Sequence, residues 1–181
     1  MTGRENPWQV LGKRDVYDNP WMRVVEHEVI HPAGNPGIYG VVSFKNLAVG
    51  IIPLDEEDHT WLVGQFRFAL DEYSWEIPMG GVPIADDPLA GAQRELKEET
   101  GLIATNWEQI LSVRVSNSVT DESGVVYVAT ELQQGEPEFD DTEKIEIRRV
   151  PFAEAVQMVM DGEITDCLSA TGILKLAALR R

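Results

Sequence analysis

The segment GGVPIADDPLAGAQRELKEETGL at residues 80–102 constrains the fold and chemistry of this chain more than any other stretch. Asp87 followed by Pro88 predicts a helix start, because Asp caps helix N-termini and Pro suits the first helical position. Gly101 predicts the helix end, since glycine adopts the left-handed conformation common at C-terminal caps. We therefore predict a helix over residues 88–100. Its buried stripe is predicted from apolar residues at helical spacing, which are Leu89, Ala92 and Leu96.

Three glutamates share one face of this helix. With about 100° per residue, Glu99 lies about 40° and Glu98 about 60° from Glu95. Carboxylates at i and i+4 repel each other, and these lie at the helix end where the macrodipole disfavours negative charge. A hard divalent cation such as Mg²⁺ would offset that repulsion, although a solvated acidic face is the alternative. Arg94 is spaced to pair with Glu98, and Gly91 leaves room for a ligand or backbone one turn below Glu95.

The rest of the chain predicts an α+β fold, with helices packed on a mixed sheet. Closely spaced strands precede the helix, and HPAGNPG (31–37) predicts a turn between the first two. The predicted strands are 21–30, 38–46, 48–55 and 61–68 before the helix, then 107–116, 125–132 and 145–152 after it. Two further amphipathic helices are predicted, over residues 152–162 and about 168–179.

Composition narrows the classes of partner. The 181 residues suit one domain, or one domain with a small appendage, and 31 acids against 15 bases give a formal net charge of −16. Such a field disfavours nucleic acid and anionic membranes, but it permits a small phosphorylated substrate bound through metal cations. No apolar run reaches a membrane-spanning length and we find no signal peptide. The single cysteine, Cys167, favours a cytoplasmic location.

The segment also resembles a known motif, the Nudix box, G-x5-E-x7-R-E-U-x-E-E-x-G-U, where U is a bulky aliphatic residue. Gly80 opens the match, Arg94-Glu95-Leu96 and Glu98-Glu99 form its centre, and Gly101-Leu102 close it. The one departure is Asp86, which stands where the family usually has Glu. Because Asp is shorter, a direct contact of Asp86 with metal or with Arg94 is not carried over from the family.

This resemblance implies the Nudix fold, an α/β/α sandwich around a mixed sheet, here with an N-terminal β-rich segment. It also implies hydrolysis of a nucleoside diphosphate linked to another group, with Mg²⁺ as the cofactor or Mn²⁺ in its place. Implied catalytic residues are Arg94 and Glu98. The implied metal ligands are the Met79 carbonyl, Glu95, Glu98 and Glu99.

Flanking segments are similar to ADP-ribose and nucleotide-sugar pyrophosphatases, and the similarity covers roughly residues 38–179. QFRFALDEYSWEIPMGG (65–81) resembles the approach to the box in that subfamily, and EIRRVPFAEAVQMVMDGEITDCLSATGILKLA (146–177) resembles its C-terminal part. SNSVTDE (116–122) only partly matches its S-P-G-x-S-x-E marker, which favours other nucleotide sugars over ADP-ribose itself. The substrate-binding residues implied by 65–81 and 116–122 are Arg67, Glu76, Gly80, Gly81, Ser118 and Glu122.

The general base is implied to lie in GEPEFDDTEKIEIRRV (135–150), because the subfamily often places it on a loop after the last sheet hairpin. Glu143 matches the usual position best. Asp140, Asp141 and Glu146 are rivals that the sequence leaves open.

The resemblance divides the chain into an N-terminal β segment for dimerisation, residues 1–37, and a Nudix hydrolase domain, residues 38–181. The leading hypothesis is a homodimeric, metal-dependent pyrophosphatase that cleaves a small nucleoside diphosphate sugar, with no nucleic-acid or membrane partner. One alternative is a non-catalytic Nudix domain that senses nucleotide sugars. Another is a nucleoside triphosphate pyrophosphohydrolase.

Overall fold

The structure is a computed structural model that describes residues 5–136 and 144–181. Its elements, in chain order, are β1 (Gln9–Asp18), β2 (Met22–Ile30), β3 (Pro36–Phe44), β4 (Asn46–Pro53), β5 (His59–Arg67), β6 (Glu72–Glu76), β7 (Met79–Pro83), α1 (Pro88–Thr100), β8 (Leu102–Arg114), β9 (Ser123–Gln134), β10 (Glu146–Pro151), α2 (Phe152–Met160) and α3 (Cys167–Leu179). In the described residues, α1 lies between β7 and β8 and the other two helices follow β10, and the predicted α+β class is confirmed.

The chain forms two compact units. The first unit comprises Met1–Asn46 with Arg114–Glu122, and the second comprises Leu47–Val113 with Ser123–Arg181. The division into functional segments at residue 37 stays a prediction.

The first unit is built on a three-stranded antiparallel sheet in the order β1-β2-β3. The predicted turn at 31–37 is present, with the His31 N–H donating to the Asn35 carbonyl, although β3 already begins at Pro36. Strand β1 was missed by the sequence analysis. Its side chains are almost all exposed, so it carries no alternation of apolar and polar residues that would predict a strand.

The second unit contains two sheets, ordered β10-β5-β6 and β7-β4-β9-β8. Strands β4 and β9 pair in parallel, whereas β5 pairs antiparallel with both β6 and β10. Helix α1 packs on β7, α3 on β9, and α2 on both β10 and α3. Buried residues of β4, β7, α1 and β9 form a shared core that includes Ile51, Val82, Leu96 and Tyr127. This core fixes the position of α1 on its sheet.

Helix α1 has the predicted bounds and the predicted caps. The Asp87 side chain accepts a hydrogen bond from the Leu89 N–H, and Gly101 adopts a φ of 74°. Gly91 has a different role from the one expected. A Cβ on Gly91 would lie 2.0 Å from Cγ2 of Val82, so the neighbour that approaches closely is an apolar side chain of β7, and Gly91 permits close helix-to-sheet packing.

The remaining elements differ modestly from prediction. Helix α2 ends at Met160, two residues before the predicted stop, because Asp161 caps it and Gly162 turns the chain with a φ of 77°. Strand β8 begins at Leu102 instead of residue 107. The strand expected at SWEIP (74–78), just before Gly80, corresponds to β6, whereas the short strand β7 was not predicted. None of the described helices has the length and apolar character needed to cross a membrane, and the cytoplasmic location stays a prediction.

Candidate active site

A short connection between β6 and β7, which we call the strap (residues 77–79), lies beside α1. Glu76 ends β6, and Met79 begins β7. The carbonyl of Pro78 accepts a hydrogen bond of 2.8 Å from the Ile51 N–H in β4. The Met79 N–H donates to Oε2 of Glu99 over 2.9 Å. Helix α1 and the strap are therefore joined through a predicted metal-binding glutamate and the residue whose carbonyl is a predicted ligand.

The three glutamates of α1 differ in how far they are buried. Glu99 is almost fully buried, at 4% relative exposure, whereas the side chain of Glu98 is 36% exposed. Arg94 bridges the other two, with Nη1 donating to Glu98 Oε2 and Nη2 donating to Glu95 Oε1, each at 2.6 Å. Partial burial acts to lower the pKa of Arg94, but the carboxylates of Glu95 and Glu98 together outweigh it and raise the pKa, so this cation limits repulsion among the acids.

The backbone of Gly80 lies in close contact with the carboxylate of Glu95. A Cβ built on Gly80 would lie 2.1 Å from Cδ of Glu95 and 2.2 Å from its Oε1. Any side chain at position 80 would displace that carboxylate, so glycine is required for this close approach. The carboxylates of Glu95, Glu98 and Glu99, together with the Met79 carbonyl, form a set of hard oxygen donors. Such a set fits Mg²⁺ or Mn²⁺.

Arg67, the last residue of β5, and Glu76, the last residue of β6, form a bidentate pair. Arg67 Nε donates to Glu76 Oε1 over 2.8 Å, and Nη2 donates to Oε2. Glu76 raises the pKa of Arg67, partly opposed by burial, and more distant contributions come from Asp166 and Glu99. Glu76 is 3% exposed while the Arg67 side chain is 37% exposed, so the cation keeps access to solvent. Arg67 has five N–H donors, and this pair engages two of its nitrogens.

The structure brings together most of the predicted site residues. The members placed in the second unit, around the strap and α1, are Arg67, Glu76, Met79, Gly80, Gly81, Arg94, Glu95, Glu98 and Glu99.

Two predicted substrate contacts belong to the first unit. Ser118 and Glu122 lie in the 114–122 segment, where the Ser118 carbonyl accepts a hydrogen bond from the Tyr39 hydroxyl. The Glu122 carbonyl accepts a hydrogen bond from the Val115 N–H. Their roles in substrate binding stay predictions.

The predicted base, Glu143, lies outside the described residues, as do its rivals Asp140 and Asp141. The third rival, Glu146, is described on β10, where its Oε2 accepts a hydrogen bond from the Tyr73 hydroxyl at 3.0 Å. Asp86, the departure from the family pattern, is exposed in the turn before α1, and its N–H donates to the Pro83 carbonyl.

A second acidic cluster, which we call the acidic turn, consists of Asp55, Glu57 and His59 between β4 and β5. Their candidate ligand atoms lie within 4.8 Å of one another. However, Asp55 Oδ1 accepts the N–H groups of Glu57 and His59 at 3.0 and 2.8 Å. Arg149 donates to Asp55 Oδ2 at 2.9 and 2.5 Å and to Glu57 Oε2 at 2.6 Å. These oxygens hold the turn and its β10 neighbour together, which accounts for the cluster without a metal.

The fold and the segment from Gly80 to Leu102 together define a Nudix-type α+β domain preceded by a small β unit. Comparison with family models agrees with this, since the model of the NUDIX domain matches residues 44–166. The model of the nucleoside diphosphate sugar hydrolase N-terminal domain matches residues 8–42. The chain therefore belongs to the Nudix hydrolase family, as the sequence motif predicted.

Individual proteins support the same assignment. The chain is 31% identical over 170 residues to an ADP-ribose pyrophosphatase of Mycobacterium tuberculosis, covering 92% of this chain and 76% of that protein. It is 29% identical over 174 residues to a CMP-5'-(N-acetyl-N-hydroxy-3-aminopropyl)phosphonate hydrolase of Streptomyces rubellomurinus, covering 95% and 83% respectively. A crystal structure of an ADP compounds hydrolase superposes with a TM-score of 0.86 at 19% identity, covering 98% of this chain and 96% of that one. That similarity confirms the predicted Nudix fold.

Sequence reasoning missed one contact at the site. The Ile77 N–H of the strap donates to the Ser169 hydroxyl of α3, 92 residues away along the chain. An Asp three residues before a Ser, as in Asp166 and Ser169, predicts a capped helix start. Nothing in that local pattern predicts which strand connection the serine contacts.

Proposed function

We propose that the protein hydrolyses the pyrophosphate bond of a nucleoside diphosphate sugar, giving a nucleoside monophosphate and a sugar phosphate. The observation that carries the proposal is that two α1 carboxylates contact the same backbone segment, Met79–Gly80. Glu95 lies directly on Gly80, and Glu99 accepts the N–H of Met79. The substrate class is supported by relatives whose names state hydrolysis of ADP-ribose and of a CMP-linked phosphonate.

Glu95, Glu98, Glu99 and the Met79 carbonyl are the groups we propose to hold Mg²⁺, or Mn²⁺ in its place. When bound, the divalent ion supplies Lewis-acid stabilisation for the charge that develops on the phosphates. Arg94 orients Glu95 and Glu98 through its two hydrogen bonds, while the N–H of the Pro78–Met79 peptide holds Glu99. Each of these contacts places an oxygen donor before substrate arrives, which reduces the reorganisation that catalysis would otherwise require.

Arg67 is proposed to bind substrate phosphate. Its guanidinium is held by Glu76 but stays partly exposed, and it belongs to a protein whose formal net charge is −16. A fixed cation at the phosphates offsets the repulsion that this charge exerts on an anionic substrate. Glu143 stays our predicted base on the strength of the family resemblance.

We also propose that the protein is a homodimer whose first unit contributes to the interface. Several large apolar side chains of this unit are exposed, with Trp21 at 68% and Val10 at 60% relative exposure. Burying such side chains against a second copy is favourable, because apolar surface is removed from water. Analytical ultracentrifugation at micromolar concentration tests this, and a monomeric sedimentation coefficient would contradict it.

The proposed reaction is tested by incubating the protein and Mg²⁺ with ADP-ribose, ADP-glucose, GDP-mannose and UDP-glucose, and identifying the products by chromatography. We expect a nucleoside monophosphate and a sugar phosphate, and chelation of metal by EDTA should abolish their formation. Tight binding of a nucleotide sugar without turnover would instead identify a sensor. Preferential release of pyrophosphate from nucleoside triphosphates would identify a triphosphate pyrophosphohydrolase.

A further inference from the structure

The strap has two backbone N–H groups, because Pro78 has none. Each is bound by a side chain from a different helix. The Met79 N–H donates to Glu99 of α1, and the Ile77 N–H donates to Oγ of Ser169 in α3 over 3.1 Å. Ile77 and Ser169 both have 0% relative exposure, so water cannot replace either partner. The conformation of the strap thus depends on α3 as well as on α1.

The orientation of the Ser169 hydroxyl is set by the cap of its own helix. Its Oγ donates to Oδ2 of Asp166 at 2.8 Å, and the same oxygen accepts the Ser169 N–H at 2.8 Å. Because the hydroxyl proton is committed to Asp166, a lone pair of Oγ is left for the Ile77 N–H. Hydrogen bonds arranged in sequence polarise one another, which strengthens the link from Asp166 through Ser169 to the strap.

We propose that Ser169 is a positioning residue that sets the direction of the Met79 carbonyl through the Ile77 N–H. This rests on the proposed function, since the Met79 carbonyl matters there as a metal ligand. Few torsions separate the two groups, because the intervening peptide bonds are planar and the Pro78 ring fixes its φ. The Pro78 carbonyl is also held by Ile51. The Ile77 contact is thus one of three that hold the strap, beside those of Ile51 and Glu99, and the experiment measures how far the metal affinity depends on it.

The contact to the strap can be separated from the capping of α3. Capping uses the Ser169 backbone N–H, which any residue at this position retains, whereas strap binding uses the side-chain oxygen. Asp166 is less suitable for the test, because its charge also acts on Arg67, where it adds to the larger effect of Glu76 in raising the pKa. Substitutions at Ser169 thus leave the backbone cap in place. Ser169→Ala removes the hydroxyl hydrogen bonds to both Ile77 and Asp166, whereas Ser169→Thr keeps a hydroxyl for both.

The experiment measures the affinity of the nucleotide-free protein for Mn²⁺ by electron paramagnetic resonance of the free ion. We expect Ser169→Ala to weaken Mn²⁺ binding by about 10- to 100-fold, the usual effect of removing a group that orients a ligand. Ser169→Thr, which keeps the acceptor oxygen, should recover most of the affinity. Ile173→Val is the matched control on the buried face of the same helix. It should lower stability by about 1 kcal/mol and leave Mn²⁺ affinity unchanged.

A folded Ser169→Ala protein with wild-type Mn²⁺ affinity, alongside weakened binding by Glu99→Gln, overturns this inference alone. If the Ala variant does not fold, the Mn²⁺ affinity of Ser169→Cys is measured instead, because a thiol is similar in shape to a hydroxyl but is a weak acceptor. Wild-type affinity in the Cys variant also overturns the inference, and weakened affinity supports it. Failure of the wild-type protein to bind Mn²⁺ overturns the proposed metal site and this inference with it.

Discussion

The acidic turn and the acidic face of α1 each gather three side chains capable of binding metal, yet their surroundings differ. In the turn, both oxygens of Asp55 are engaged by backbone N–H groups or by Arg149, which also binds Glu57. On the helix, Arg94 neutralises part of the charge, but Glu95 rests on Gly80 and Glu99 reaches the strap.

The difference shows that the number of acids does not define a metal site. A carboxylate cluster is accounted for by folding when its oxygens close a turn or pair strands, as in the acidic turn. The α1 cluster lies near the helix C-terminus, where negative charge is unfavourable. It also contacts Gly80, where any side chain would displace the Glu95 carboxylate. Stability alone does not explain that arrangement.

Glu99→Gln should give the largest contrast between the two clusters. We expect turnover to fall by about 10²-fold or more, because charge stabilisation at the phosphates is lost. The fold should persist, since the glutamine oxygen can still accept the Met79 N–H. Steady-state kinetics with saturating Mg²⁺ measure the effect. Glu57→Gln, the same change in the acidic turn, is the control and should leave turnover unchanged, so equal losses in both variants would contradict the distinction.

Gly80→Ala should weaken Mn²⁺ binding by about tenfold or more, the scale of disturbing a ligand's support. The added Cβ would displace the Glu95 carboxylate, which is the end of a flexible side chain, so the protein should still fold. Gly40→Ala is the control, because a Cβ there has nothing within 4 Å. Calorimetric measurement of the Mn²⁺ affinity of both variants tests this prediction. Equal affinities for the two would show that Glu95 does not need the bare backbone.

Arg67→Ala should raise KM, but it also leaves the buried Glu76 carboxylate without its partner, so it confounds binding with stability. Arg67→Lys separates the two because it keeps the cation and loses the planar fork. We expect KM to rise by about tenfold, which corresponds to about 1.4 kcal/mol, with kcat changed much less. Initial rates over a range of nucleotide sugar concentrations give both constants. An unchanged KM would remove Arg67 from substrate binding.

Asp55→Asn should have the smallest effect and should act on stability only. Burial favours the protonated acid, but the His59 N–H and Arg149 outweigh it and hold the pKa of Asp55 below its usual value of 3.8. A lowered folded-state pKa stabilises the protein above the unfolded-state pKa, and that stability is lost as the pH falls through the folded-state value. We expect a loss of about 1 kcal/mol at pH 7.

Urea unfolding of the wild-type and Asp55→Asn proteins at pH 7 and at several values below 4 measures this difference. The gap should narrow as the pH falls. A gap independent of pH, or a loss of turnover in Asp55→Asn, would indicate that the acidic turn does more than hold β4, β5 and β10 together.

The sequence predicted α1 to the residue because its caps and apolar stripe are local signals. It also predicted which glutamates share a face, since helix geometry fixes that. It did not predict that Gly91 packs on Val82 or that Ser169 binds the strap, because these contacts join segments far apart in the chain. Strand β1 was missed because an exposed edge strand needs no alternating pattern.

The central claim is that α1 and the strap, not the acidic turn, hold the divalent ion. Calorimetric titration of Mn²⁺ into the nucleotide-free wild-type, Glu99→Gln and Glu57→Gln proteins tests it most directly. We predict matching affinities for wild type and Glu57→Gln, and a loss of about tenfold or more for Glu99→Gln. Retained affinity in Glu99→Gln, together with lost affinity in Glu57→Gln, would place the ion at the acidic turn and contradict the claim.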